Sequence, residues 1–80
     1  MNERVDMDFK EATDQLTDLC ATLDDVAVAV GRAPSSVRKA RLAPDSSSYR
    51  RPPPGWESAI AKLARERAAE LVKLAEELEG

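Results

Sequence analysis

The chain has 80 residues, a formal net charge of −3 and 42% hydrophobic residues, with one Trp, one Tyr and one Phe. So short a chain buries a small share of its surface, so a single domain over 1–80 is expected, its core of Leu, Val, Ile and Ala needing support from association. With Cys20 as the only cysteine and no histidine, an internal disulfide is excluded, and the common zinc ligand and neutral-pH general base are missing. A non-enzyme without cofactor or metal is expected, and no small-molecule ligand site is evident. The start MNERVDMDFK carries no apolar run behind a basic segment, and no apolar stretch reaches membrane-spanning length. We therefore expect a cytoplasmic protein with no membrane partner.

The first expected helix covers residues 8–21. Phe9, Ala12, Leu16, Leu19 and Cys20 recur at helical spacing, and Asp8 and Glu11 suit its first turn. Cys20 lies on this stripe and is read as a buried small side chain rather than a reactive thiol. Thr22 and Asp25 are spaced as a capping box, so a second helix starts near Leu23, with Val26, Ala27 and Val30 facing inward. Gly31 ends it where a positive φ is cheap, and Pro34 suits the first position of a third helix over 34–42. In that helix Val37 and Ala40 share one side, joined by Leu42 or the stem of Arg41, while Ser35, Ser36, Arg38, Lys39 and Arg41 form a polar, basic face without acids.

Residues 43–55 are rich in Pro, Ser and Gly, and Pro52-Pro53-Pro54 forces an extended path. Tyr49, Arg50 and Arg51 give this stretch an aromatic anchor and two phosphate-capable groups, which favours an ordered loop over a floppy linker. Residues 56–79 contain no Pro or Gly and are dense in strong helix formers. Trp56, Ile60, Leu63, Leu71, Leu74 and Leu78 form a broad stripe interrupted by Arg67. A helix of about 35 Å is too long for so small a core to cover, so the stripe is expected to make an antiparallel or splayed contact between two subunits. Folding back on its own domain could account for the first half of the stripe, though hardly for Leu71 to Leu78. The fold expected is thus all-α: a small helix-turn-helix bundle of about four helices, with a three-helix core over 8–42 and a long C-terminal dimerisation helix.

Charge is segregated along the chain. Residues 1–30 hold eight acids and two bases, residues 31–55 one acid and six bases, and residues 56–80 six acids and four bases. A basic middle between acidic ends is the distribution expected when one surface meets phosphate.

With Ala27, Gly31, Val26, Val30, Val37 and Ala40 at its key places, the segment 23–42 resembles the helix-turn-helix of the phage repressor and Cro-like (Xre) families. Arg32 departs from the apolar residue common after the turn glycine. Tyr49-Arg50, followed by prolines and an apolar helix, resembles the corresponding stretch of small phage-type autorepressors, the anti-CRISPR-associated (Aca) proteins. The resemblance implies a homodimeric, sequence-specific regulator of transcription, probing an inverted repeat in double-stranded DNA with the helix 34–42 in the major groove. It implies base contacts from Ser35, Ser36, Arg38 and Lys39, and phosphate contacts from Arg32, Arg41, Tyr49, Arg50 and Arg51. Trp56, Ile60, Leu63, Leu71, Leu74 and Leu78 form the expected dimer interface. Two other readings fit the same residues: a protein-interaction module such as an antitoxin or adaptor, and a phage recombination or architectural factor that bends DNA.

Overall fold

A computed structural model describes residues 7–80; residues 1–6, part of the expected single domain, lie outside the described residues. Four helices follow in chain order, α1 (Phe9–Leu19), α2 (Leu23–Val30), α3 (Pro34–Ala40) and α4 (Trp56–Glu79), and no strand occurs among the described residues. The fold is all-α, a small bundle with a long C-terminal helix. No described helix is long and apolar enough to cross a membrane.

Local chemistry accounts for the boundaries. Asp8 caps α1 by accepting the Glu11 N–H at 2.8 Å. The capping box of α2 is complete: Asp25 N–H donates to Thr22 Oγ1 at 3.2 Å, and Thr22 N–H donates to Asp25 Oδ2 at 3.0 Å. Gly31 ends α2 at φ 70°, and Arg32 N–H closes the turn on the Ala27 carbonyl at 3.0 Å. That six-to-one closure needs a left-handed residue, a conformation costly for any side chain with a Cβ. Pro34 opens α3 in the first turn, where its missing N–H costs no hydrogen bond.

The core consists of Phe9, Leu16, Val26, Ala27, Val37, Ala40, Ile60 and Leu63. The first part of α4 supplies the last two and crosses α1 and α2, while α3 is held against α2. Trp56 meets Phe9 edge-on, with ring centroids 5.3 Å apart and planes at 87°, joining the starts of the first and last helices. Arg67, which interrupts the apolar stripe of α4, reaches Asp25 at 3.4 Å and Glu70 at 2.9 Å. The acidic member of the α2 capping box therefore also pairs with a cation of α4.

Several expectations are corrected here. Leu19 is 80% exposed rather than part of the buried stripe of α1. At ~100° per residue it lies about 60° round from Leu16, and the stripe is completed instead by fully buried Thr13. The Thr13 hydroxyl donates to the Phe9 carbonyl at 2.8 Å, which satisfies a polar group in the core. Helices α1 and α3 are also shorter than 8–21 and 34–42, because Cys20 and Arg41 serve as their C-caps. Beside Val37 and Ala40 it is the Arg41 side chain that is largely covered, while Leu42 is 40% exposed.

Of the expected dimer interface, Trp56, Ile60 and Leu63 belong to the chain's own core, because the opening turns of α4 lie directly over α1 and α2. Beyond Arg67 the helix outruns the body, leaving Leu71, Leu74 and Leu78 exposed at 53, 52 and 79%. The two halves of the stripe should therefore respond differently to truncation. Leu63→Ala is expected to cost about 2–5 kcal/mol in urea unfolding. Leu78→Ala should stay within about 0.5 kcal/mol at concentrations where the chain is monomeric.

Candidate nucleic-acid interface

The basic residues of the middle segment come from three places: the turn after α2, the outer side of α3, and the loop 41–55. The loop is ordered by successive turns. Ser46 N–H donates to the Ala43 carbonyl at 2.9 Å, and Tyr49 N–H to the Ser46 carbonyl at 3.1 Å. Arg50 N–H then donates to the Lys39 carbonyl at 3.4 Å, tying the loop to the C-terminal end of α3. The proline run leads on to Gly55 at φ 79°, which turns the chain into α4.

As a result, residues far apart in sequence border one hollow of about 260 Å³: Arg32 from the turn, Ser36, Val37 and Lys39 from α3, and Arg50, Arg51 and Pro53 from the loop. Four of these seven residues are cationic and none is acidic. None of Arg32, Arg38, Lys39, Arg50 and Arg51 forms an ion pair among the described residues. All five side chains are exposed, so the concentrated positive potential is open to an anionic partner.

On α3 the exposed residues divide around the helix. Val37 and Ala40 point inward, Ser35 and Arg38 occupy the outer line at i and i+3, and Ser36 and Lys39 lie along the edge beside the loop. Arg38 is exposed but does not line the hollow.

Two expected phosphate-contacting residues are placed differently. Arg41 turns back onto α1: its Nε donates to Thr13 Oγ1 at 2.9 Å, and its Nη2 is paired with Asp14. The guanidinium thus fixes the end of α3 to α1 and is withdrawn from the open basic surface. The polar partners that hold it, Thr13 and Asp14, carry no sequence mark beyond their helical spacing. Tyr49 is half-buried and borders a separate hollow with Phe9, Leu42, Pro52 and Trp56, which makes it an anchor beneath the loop. None of the apolar positions Leu71, Leu74 and Leu78 borders that hollow; all three are exposed on the second half of α4.

Two carboxylates stabilise this frame by charge. The Lys10 ammonium, hydrogen-bonded at 2.8 Å, and then Arg41 hold the Asp14 carboxyl below its ordinary range against the opposing effect of partial burial. Asp25 is lowered first by the Thr22 backbone N–H and further by Arg67 and the Thr22 hydroxyl.

No family model, curated protein or solved structure matches the chain.

The two carboxylates set an acid limit. Their folded pKa values lie below the unfolded ones, so their contribution is complete above the ordinary carboxylate range and is lost as pH falls through the lowered values. The melting midpoint is expected to hold between about pH 7 and 5 and to fall below about pH 4. The double substitution Asp14→Asn with Asp25→Asn should lower the midpoint at neutral pH and flatten that acid limb, as followed by circular dichroism.

Proposed function

We propose that the chain is a sequence-specific double-stranded DNA-binding regulator of transcription, acting as a homodimeric repressor on an inverted repeat. One observation carries the reading: the turn, α3 and the loop bring Arg32, Lys39, Arg50 and Arg51 to a single acid-free hollow, beside a recognition-type helix presenting Ser35 and Arg38. An α-helix fits the major groove, and flanking cations supply affinity through phosphate contacts. The acidic α1, α2 and end of α4 repel DNA from other faces and orient the docking. The resemblance of 23–42 to phage repressor and Cro-like proteins supports the repressor role.

Dimerisation is assigned to the projecting part of α4, through Leu71, Leu74 and Leu78, with Val72 beside them at 59% exposure. The same exposed leucines favour a second reading, in which this segment docks on a different protein, as in an antitoxin or adaptor.

Binding-site selection with the purified chain should return a two-fold symmetric sequence whose affinity falls steeply with salt. Arg38→Ala is expected to cost about 1–3 kcal/mol at the selected site and to relax preference at one base position. The DNA-binding reading is falsified if no duplex shows salt-sensitive binding. Sedimentation equilibrium separates the roles of α4: a dimer that Leu74→Glu dissociates supports homodimerisation, whereas a wild-type monomer favours the second protein.

A further inference from the structure

We propose that the hollow between α3 and the loop is a clamp for one backbone phosphodiester, so that Lys39 and Ser36 grip the strand while Ser35 and Arg38 alone on α3 read bases. This rests on the DNA-binding reading and sharpens it by dividing a helix face that the sequence presents as uniform.

Lys39 and Ser36 are one helical turn apart on the edge of α3 that faces the loop, and both line the hollow. Arg50 and Arg51 stand opposite them, held there because the Arg50 N–H is bonded to the carbonyl of Lys39 itself. Arg32 closes the end nearest the turn. An ammonium, three guanidinium groups and a hydroxyl around a space of about 260 Å³ suit the non-bridging oxygens of a phosphodiester monoanion. Such groups donate charge-assisted hydrogen bonds, strongest to phosphate oxygens. Arg38 lies about 100° round the helix from Lys39, outside the hollow, with no acid paired to it among the described residues. A helix seated in the major groove with its Ser36–Lys39 edge against one strand points Ser35 and Arg38 to the groove floor.

The clamp makes Lys39 a source of affinity without sequence information. The test uses the full chain and duplexes carrying its selected site. Lys39→Ala and Lys39→Gln are compared with Arg38→Ala, and folding is checked by melting midpoint, since both side chains are exposed. Both Lys39 variants are expected to weaken all duplexes by a similar factor, to leave the selected sequence unchanged, and to reduce the slope of log affinity against log salt by about 0.9. Replacing single phosphates by neutral methylphosphonates should reveal one linkage at which wild-type binding drops and the Lys39 variants lose nothing further. Arg50→Ala should converge on the same linkage. A Lys39 variant that changes base preference at one position, or that shares no neutral linkage with Arg50→Ala, overturns the clamp while leaving DNA binding intact. Absence of salt-dependent binding by the wild type overturns both.

Discussion

The first part of α4 lying across α1 and α2 is the contact on which the remaining structure depends. Eight buried apolar residues make the core, and without Ile60 and Leu63 the other six would have no cover on one side. The edge-on pair Phe9–Trp56 fixes where this lid begins, and such pairs contribute about 0.5–1.5 kcal/mol beyond the area they bury. Since Trp56 must return to the start of α1, the loop before it is compelled to run past α3. The loop arginines reach the basic side of α3 on that path, and the bond from Arg50 N–H to the Lys39 carbonyl holds the loop there.

Charged groups orient the elements as well as adding to their stability. Exposed ion pairs are generally worth little, and Lys10–Asp14 and Arg67–Glu70 are pairs within single helices. Arg41 and Arg67 differ, since each crosses between elements. Arg41 sets the end of α3 on α1 through Thr13 and Asp14, and Arg67 sets α4 on the capped start of α2 through Asp25. These two contacts restrict rotation of α3 and α4 about their axes. For α3, whose buried residues are only Val37 and Ala40, apolar packing alone would define that rotation poorly, because small side chains offer shallow ridges.

The long helix serves two regions. Up to Arg67 its apolar stripe is spent inside the chain, and beyond it the same stripe continues over exposed leucines with nothing of this chain beneath them. The molecule measures 52 × 34 × 19 Å, a long axis that a compact bundle of this length does not require. In a small protein, apolar surface held out on a projecting helix is a natural place for association.

The amino-acid sequence by itself determined the helices, their order and most of their ends, because those signals act over a few residues. The Thr22–Asp25 capping box, Gly31 at positive φ, Pro34 in the first turn of α3 and the unbroken run 56–79 are all local. The basic middle segment was equally legible, as charge can be counted along a chain. Only the tertiary structure decided which of those charges remain open. Lys39 and Arg41 are cations two residues apart at the end of α3, yet Arg41, its C-cap, is held by Thr13 and Asp14 while Lys39 borders the hollow with Arg50 and Arg51. Likewise Ile60 and Leu74 occupy the same stripe of α4, and only the reach of the core separates a buried position from an exposed one. Periodicity records which way a side chain points around its helix; what it meets there depends on elements brought close from elsewhere in the chain.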